Sequence, residues 1–407
     1  MPTTMQYIGG KEGTLNTATT RYWAPTSGNQ MVTFTATESV SLASTERALT
    51  FSKLYVYLKT NTKTTSNPTI TFRNNGANGN ITISIPFGST GIFSNTANTD
   101  VVAAGSTFTL ACAYNSGTGT LVFSNFSIVA DYTGTESIAI FQCSPGATFS
   151  GTAYVPIAGY SAGNATEAQA QVKLPKAGVI RNGVWRITSN SRDGDSTLTL
   201  RLNGVDTTLV VTALDSTTGT FKDTTHSVTI AADDLVCWKS IRGGSGGGIS
   251  QASAQCEFET TSDTFPVTCE QSVTLAPGGA TSYYQYIGGE TPSTYTDTDT
   301  KVDFNLSGYS ADNLRVYVQT NTIASTTNMY LRKNGSDTAV TVAITASTTG
   351  HFSDTTNSVS ISSGDDLNYR VAAGGSGSLL IRRATLNFTK DTVVLSSNND
   401  NMFFSFI

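Results

Sequence analysis

The stretch TGIFSNTANT (90–99) decides the fold, because the chain repeats it as TGTFKDTTHS (218–227) and as TGHFSDTTNS (349–358). An Arg–x–Asn–Gly sequence precedes each of the three phrases. Similarity at a fixed period is the signature of a structural unit repeated in tandem. The repeated motif residues are Arg73, Asn75, Gly76, Gly91 and Phe93; Arg201, Asn203, Gly204, Gly219 and Phe221; and Arg332, Asn334, Gly335, Gly350 and Phe352.

Other matching phrases place the boundaries of the repeat. LYVYLKTNT from Leu54 returns as LRVYVQTNT from Leu314. QYIGG occurs from Gln6 and again from Gln285, and YVPIAG from Tyr154 is its expected middle counterpart. We predict three tandem modules, each about the size of one domain. Their bounds are 1–133, 134–262 and 263–392, and residues 393–407 form a C-terminal tail.

The segments around each Asn-Gly alternate apolar and polar residues. Ile81, Ile83 and Ile85 alternate with Thr82 and Ser84, and the other two copies alternate at the same place. A period of two indicates a strand with one buried face, and Asn-Gly between two such runs is typical of a hairpin. We therefore predict an all-β chain of three antiparallel sandwiches of jelly-roll type.

Within the repeated phrase, we expect the Gly to open a bend or bulge and the Phe to point into the core. The residue two positions after the Phe is Asn95, Asp223 or Asp354, and such side chains bond nearby backbone amides in turns. A small binding site repeated three times is the alternative. The structural interpretation is favoured, because turn chemistry accounts for these residue types without a ligand.

Composition excludes several classes of function. Charged residues are 13% of the chain and the formal net charge is −5, so phosphate backbones and anionic membranes are not attracted. No Lys/Arg cluster carries interleaved aromatic residues, which argues against nucleic-acid binding. No apolar run is long enough to span a membrane. The N-terminus lacks the basic and apolar regions of a signal peptide, so we expect synthesis in the cytoplasm.

The five cysteines predict free thiols. Cys237 and Cys256 flank the Gly-rich stretch RGGSGGG and could face each other across a hairpin as a disulfide. The count is odd, and neither of the other copies repeats the pair. We expect free buried thiols in a chain made in a reducing compartment. No Cys/His spacing suggests zinc.

No arrangement of residues indicates catalysis. His226 and His351 fall at different places in their modules, which excludes a repeated His-based site. Paired carboxylates occur at Asp233-Asp234 and at Asp365-Asp366, where module 1 has Ser106-Thr107. Such a pair can serve acid/base chemistry or calcium, but its place directly before a strand suits a turn. The same holds for the alternating Asp297, Asp299 and Asp303, which lack the Gly and Glu of an EF-hand loop. We predict a protein that is not an enzyme and has no metal or cofactor.

A Gly-rich stretch precedes the last predicted strand of each module: YNSGTGT, IRGGSGGG and VAAGGSGS. None has the ending of a phosphate-binding loop, so flexible hairpin tips are expected. Loops on a rigid scaffold often carry binding. In module 2, Trp238, Lys239 and Arg242 approach this stretch and are the candidate ligand contact, with a sugar as the expected ligand. A partly buried strand position for Trp238 is favoured over this contact.

The C-terminal tail is polar and then apolar. An exposed end of this kind favours aggregation unless it docks. We predict docking on a neighbouring subunit, by packing or by strand addition; folding back onto module 3 is the alternative. The candidate assembly contact is Met402, Phe403, Phe404, Phe406 and Ile407.

The tandem Thr/Ser/Gly-rich modules, with phrases such as LRLNGV and TGTFKDTTHSVTIAADDLV, resemble those of tailed-bacteriophage virion proteins. The resemblance covers nearly the whole chain, is one of style, and transfers no functional residue. It implies a fibre, spike or head-decoration protein that assembles with itself, as a trimer by preference, and with other virion proteins. The alternative function is a receptor- or carbohydrate-binding adhesin. A repeated surface aromatic platform would favour that alternative, and the three tryptophans lie at different places in their modules.

Overall fold

The computed structural model describes residues 3–16, 19–27, 35–143, 148–149, 151–159, 163–261, 263–271, 273–290 and 296–391. Within these ranges, helix is limited to 3₁₀ turns at Glu38–Val40 and Glu167–Gln169 and to α1 (Asp297–Thr300). All other regular structure there is β-strand, so the all-β prediction is confirmed. The candidate contact formed by Met402, Phe403, Phe404, Phe406 and Ile407 lies outside the described residues.

The strands pair in three separate sets, which we call modules 1, 2 and 3. Module 1 contains β1 (Thr3–Leu15), β2 (Arg21–Trp23), β3 (Ala43–Ser44), β4 (Leu49–Asn61), β5 (Thr69–Asn74), β6 (Ala77–Ser84), β7 (Gly91–Val102), β8 (Thr107–Ala113) and β9 (Leu121–Tyr132). Module 2 contains β10 (Ser137–Cys143), β11 (Thr148–Phe149), β12 (Ala153–Val155), β13 (Val172–Lys173), β14 (Gly178–Arg192), β15 (Ser196–Leu202), β16 (Val205–Ala213), β17 (Gly219–Ile230), β18 (Leu235–Ile241) and β19 (Gly246–Thr260). Module 3 contains β20 (Thr264–Glu270), β21 (Ser282–Gln285), β22 (Gly289–Glu290), β23 (Val302–Phe304), β24 (Tyr309–Asn321), β25 (Thr327–Lys333), β26 (Ser336–Ile344), β27 (Gly350–Ile361), β28 (Asp365–Ala372) and β29 (Leu379–Lys390).

Each module is a jelly-roll sandwich of two sheets. In module 1 the sheets have the orders β1-β9-β4-β7 and β2-β8-β5-β6, with β3 also pairing with β8. Modules 2 and 3 repeat both orders with the equivalent strands. The apolar positions of the alternating strands, such as Ile70, Phe72, Ile81 and Ile83, fill the space between the sheets. The core therefore lies where the period-two pattern places it.

The predicted Asn-Gly hairpins are present in all three modules. In module 1, Asn75 and Gly76 join β5 to β6 with φ values of 48° and 78°. Asn203-Gly204 and Asn334-Gly335 join the equivalent strands with nearly the same angles. Two positive φ values in a row define the tight turn that matches the twist of paired strands. Local chemistry thus fixes the register of each hairpin.

The two QYIGG phrases do not occupy equivalent places, which corrects the sequence alignment. The first lies in β1, whereas the second runs from the end of β21 to β22. The two phrases instead pack against each other, because a Cβ on Gly10 would lie 2.9 Å from the ring of Tyr286. By strand pairing, Tyr154 is equivalent to Tyr22 and Tyr284.

The Gly-rich stretches are not hairpin tips, contrary to expectation. In every module, the strands on either side of the stretch belong to different sheets, as β18 and β19 do. Each stretch therefore carries the chain across the sandwich. For the same reason Cys237 and Cys256 lie in different sheets and do not face each other across a hairpin. None of the five cysteines forms a disulfide and all five are buried, as expected.

Strand pairing aligns the paired carboxylates one position away from where the sequence alignment places them. Asp234, not Asp233, is equivalent to Asp365 by strand pairing. Asp233 has φ 72° and occupies the left-handed turn position that glycine fills in modules 1 and 3. The sequence alignment missed this equivalence because an aspartate, which tolerates the left-handed conformation, stands where the other modules have glycine.

Candidate functional site

The arginine of each repeated Arg–x–Asn–Gly sequence clamps its module internally. In module 2, the Arg201 Nε lies 2.8 Å from Glu167 Oε1, and the guanidinium also donates to Asp206 and to the Gly204 carbonyl. Its carbon centre lies 5.9 Å from the ring centroid of Tyr154. The same clamp is built by Arg73 with Glu38, Asn78, Gly76 and Tyr22, and by Arg332 with Asp297, Asp337, Gly335 and Tyr284.

The clamp explains why arginine is repeated. A planar guanidinium makes paired hydrogen bonds to a carboxylate and stacks on an aromatic ring. Hydrogen bonding to Glu167 raises the pKa of Arg201 despite partial burial. The clamp ties the hairpin to the helical turn that precedes β3, β13 or β23. Its donors are used within the module, so the clamp itself is a structural device.

The repeated TG-x-F phrase forms the start of an edge strand. Gly350 is the first residue of β27, with φ 112°, and Phe352 is half-buried against the core. Asp354 then accepts hydrogen bonds from the backbone amides of Thr341, Thr356 and Asn357 at 2.9, 3.1 and 3.0 Å. The strand bulges here, because three residues of β27 lie opposite the single residue Asn313 of β24. Gly91 and Phe93, and likewise Gly219 and Phe221, take the same positions.

The structure does not bring the candidate ligand contact in module 2 together at the surface. Trp238 is 0% exposed and lies in the core of module 2. Lys239, on the opposite face of the strand, pairs with Asp206. Arg242 is half-buried at the edge of the Gly-rich stretch. Trp238 is therefore not available to stack on an external sugar.

A cation holds the Gly-rich stretch of module 2 in place. Arg192 donates to the carbonyls of Gly243, Gly246 and Gly247 at 2.8, 2.9 and 2.9 Å. In module 1 the equivalent residue is Lys63, whose Nζ donates to the carbonyls of Tyr114 and Ser116. Both side chains are buried.

The two histidines occupy different surroundings. His226 is exposed and its Nδ1 lies 2.9 Å from Asp223 Oδ2, within the bulge of β17. His351 packs on Tyr317, and partial burial together with Lys173 and Arg383 lowers its pKa. Lys173 belongs to module 2, so His351 lies at a contact between modules.

Such contacts, which we call seams, are the main functional feature that the sequence did not reveal. At the seam between modules 1 and 2, the Ser44 amide donates to Gln255 Oε1 at 3.0 Å. The Glu46 amide donates to Glu257 at 2.7 Å, and Arg47 pairs with Glu259 at 2.8 Å. The partners Gln255, Glu257 and Glu259 line the outward face of β19.

The seam between modules 2 and 3 uses the equivalent elements. Arg315 Nε lies 2.5 Å from Asp233 Oδ1, and Arg383 donates to the Gln169 carbonyl. Arg383 is on β29, which is the counterpart of β19. Lys176 approaches Asp312 at 3.9 Å.

The seam between modules 3 and 1 completes the set. Gln6 Nε2 donates to the Asp303 carbonyl at 2.7 Å, and the Asn305 amide donates to Gln6 Oε1 at 2.7 Å. From β9, Asn125 donates to the Lys301 carbonyl at 2.5 Å and Ser127 donates to the Asp303 carbonyl at 3.1 Å.

Together the three seams form a closed head-to-tail ring. In each seam, the segment before the long strand β4, β14 or β24 covers the outward face of the next module's last strand. The first strands β1, β10 and β20 also contact one another in pairs. Tyr7 Oη donates to the Ile138 carbonyl at 2.8 Å, and Ser27 Oγ donates to the Pro266 carbonyl at 3.3 Å. The arrangement is heterologous and closes after three steps within one chain.

Two kinds of feature are absent from the described residues. In that part of the chain, no helix has the length and apolar character to cross a membrane. No group of three His, Cys, Asp or Glu residues there could hold a metal ion.

Comparison with known proteins gives no family. No family model matches the chain, and no curated protein matches it. One similar solved structure is "The Triple Jelly Roll Fold and Turret Assembly in an Archaeal Virus", at 15% identity over 95% of this chain and 89% of that chain, with a TM-score of 0.20. Another is "Life in the extremes: atomic structure of Sulfolobus Turreted Icosahedral Virus", at 16% identity over 85% of this chain and 81% of that chain, with a TM-score of 0.16. At these TM-scores, neither similarity supports an inference about this chain, and neither supports a tailed bacteriophage.

Proposed function

We propose that this protein is a non-enzymatic structural component of a virion, acting as a fibre, spike or capsid-decoration protein. It works by assembly and by docking to other virion proteins. Jelly rolls occur in viral capsid proteins and also in lectins, so the fold alone leaves both functions open. The proposal rests instead on the closed ring of seams.

The ring supports an architectural role because three sheet faces that could meet ligands are used for packing. Gln255, Glu257, Thr385, Asn387 and Ser127 are outward-facing polar residues of central strands, and all are buried. Buried polar faces with matched partners are typical of subunit interfaces that specify one arrangement. One chain thereby makes the threefold contact that three separate subunits would otherwise make.

This arrangement changes the expected assembly. The sequence favoured a homotrimer, whereas in the ring each equivalent surface is already covered by another module of the same chain. We propose that one chain is the docking unit and that it contacts other virion proteins through surfaces outside the seams. Light scattering of the purified chain should give the mass of one chain; a trimer would contradict this.

The test of the virion role is immunogold electron microscopy. Antibodies against the recombinant chain should label particles purified from cells that carry its gene, at regular positions on the particle. Antigen confined to the host-cell fractions, with unlabelled particles, would refute the proposal.

A carbohydrate-binding role is the second candidate, and one observation favours it. Tyr22, Tyr154 and Tyr284 repeat at equivalent positions on the outer sheet of each module, each beside a guanidinium. Half-buried aromatic rings can stack on the apolar face of a sugar, while the neighbouring guanidinium donors are used by the clamp. A glycan array probed with the intact chain decides this, and a specific signal lost in Tyr154→Ala would establish it.

A further inference from the structure

The seam between modules 2 and 3 contains a small cavity that is partly open to solvent. Its volume is about 10 Å³, near the lower limit for one water-sized species. Lys173 reaches it from module 2, and the remaining lining residues come from module 3. They are Arg315, Val316, Tyr317, His351, Arg383 and Thr385.

Positive charge around this cavity is not balanced. Asp233 serves both Arg315, at 2.5 Å, and Lys173, at 3.7 Å. Glu270 serves both Arg382, at 2.9 Å, and Arg383, at 3.4 Å. Four permanent cations therefore share two carboxylates, and the Asp233 side chain is 47% exposed, which weakens its compensation.

One donor at the cavity has no acceptor. The Arg383 side chain is 3% exposed and its Nε–H makes no hydrogen bond. Its Nη1 donates to the Gln169 carbonyl across the seam. A buried, unsatisfied donor on a charged group is costly, and such groups in native proteins are normally met by a protein atom, a water or an ion.

The equivalent places in the other two seams carry fewer cations, although the buried Arg186 takes the place of Tyr317 between modules 1 and 2. Between modules 1 and 2, the residues equivalent to Lys173, Arg315, His351 and Arg383 are Ser44, Val184, Thr220 and Ser253. Between modules 3 and 1 they are Asp303, Tyr55, Ile92 and Asn125. The fold therefore does not require cations at these positions, and their presence in one seam needs a separate reason.

We propose that this cavity is a binding site for a single monatomic anion of the size of chloride, held by the Arg383 Nε–H among Lys173 and Arg315. The net positive charge selects an anion, and the small volume favours a monatomic one. His351 lies at the exposed side of the cavity, where its partly exposed ring separates the anion from solvent. The bound anion would neutralise the seam and hold modules 2 and 3 together.

The first test is crystallographic. Crystals of the full chain grown in sodium bromide, measured at the bromine absorption edge, should show an anomalous peak between Arg383 and Lys173. A cavity that holds only water, or that shows no anomalous peak at saturating bromide, would overturn the proposal.

The second test works in solution on the intact chain. At matched ionic strength, the melting temperature should rise saturably with chloride relative to gluconate, which is too large for the cavity. Arg383→Ser introduces the residue found at the equivalent place in module 2 and should abolish the difference between chloride and gluconate. Lys173→Ser introduces the residue of module 1, at a partly exposed position, and should weaken the apparent affinity for chloride. Arg370→Ala, which removes a cation bound to Asp337 away from the seam, should leave the chloride effect unchanged. An equal chloride effect in wild type and in both seam variants would refute the site.

Discussion

At the scale of the residue, the molecule repeats side chains that bond to backbone. Asp354 is the clearest case, because its carboxylate accepts three backbone amides at the bulge of the edge strand β27. Burial raises the pKa of Asp354, but the hydrogen bonds from Thr341, Asn357 and Thr356 outweigh it and leave the pKa below its usual value. Asn95 holds the same place in module 1 and accepts from the Asn98 amide at 3.1 Å. An amide oxygen thus accepts one of the backbone hydrogen bonds that the carboxylate accepts.

We therefore expect Asp354→Ala to cost about 1–3 kcal/mol, the usual penalty for unsatisfied buried donors. Asp354→Asn should cost clearly less, as Asn95 shows. The lowered pKa adds a pH signature. The wild-type contribution is complete above the ordinary aspartate pKa of the unfolded chain, and it is lost as pH falls through the lowered native value. Urea unfolding from neutral to acid pH measures both effects; equal losses in the two variants, or the same acid-side loss in Asp354→Asn, would contradict the assignment.

At the scale of the element, strands and hairpins were predictable because their signals are local. The alternation Ile81–Ile83–Ile85 and the Asn75-Gly76 turn each depend on a few adjacent residues. The Gly-rich stretches were misassigned as hairpin tips because a turn within one sheet and a crossing between sheets use the same residue types. Only the pairing of distant strands distinguishes them. The clamp on Arg73 was missed for the same reason, since Glu38 is far away in sequence.

The hairpin turn itself can be tested with one substitution. Gly204 has φ 82°, and a Cβ there would meet nothing within 4 Å. Gly204→Ala should therefore cost about 1–2 kcal/mol from the left-handed backbone alone. Gly278, which also has open space and lies outside the left-handed region, is the matched control, and Gly278→Ala should be neutral or slightly stabilising. Thermal unfolding of both variants checks this, and equal effects would show that the conformation is not what matters.

The Gly-rich stretch of module 2 gives a second test at this scale. Arg192→Ala removes the donors that hold the carbonyls of Gly243, Gly246 and Gly247. We expect faster hydrogen exchange over 243–248, because three of its carbonyls then lose the donor that fixes them. Module 3 has Ile323 in place of Arg192, so its own stretch, 374–378, is the internal control and should exchange at an unchanged rate. An unchanged exchange rate over 243–248 would mean that Arg192 does not order the segment that crosses between the sheets.

At the scale of the whole molecule, the ring could not be read from the sequence. The outward face of β19 carries Ser253, Gln255, Glu257 and Glu259, which alternate with core residues as a solvent-facing strand would. Polar residues facing another module and polar residues facing water give the same pattern. One equivalent seam position also holds a different residue in each copy: Ser44, Lys173 and Asp303. The repeats in the sequence therefore predict the modules but not the contacts between them.

The seam between modules 3 and 1 has a pH dependence that follows from one pair of carboxylates. Asp303 on β23 lies directly opposite Asp366 on β28, and β23 is the strand that docks on Gln6 and Ser127. Burial, and then the charge of Asp366, raise the pKa of Asp303 to about 6. The folded protein therefore binds a proton here that the unfolded chain, with an aspartate pKa near ~3.9, has already released. The stability contributed by this proton is complete below that unfolded value and is lost as pH rises through about 6.

We predict that Asp303→Asn is more stable than wild type at pH 7, by about 1 kcal/mol after allowing for solvent screening at the half-exposed site. The advantage should disappear near pH 4, where the wild-type pair holds its proton. The seam hydrogen bonds persist in the variant, since Gln6 and Ser127 bond to the backbone carbonyl of residue 303. Asp366→Asn should reproduce the gain, and the double variant should add little to either single change, because each removes the same repulsion. Melting curves of the four proteins from pH 4 to pH 8 measure this; a gain that is independent of pH, or additive gains, would show that the two carboxylates do not share a proton at this seam.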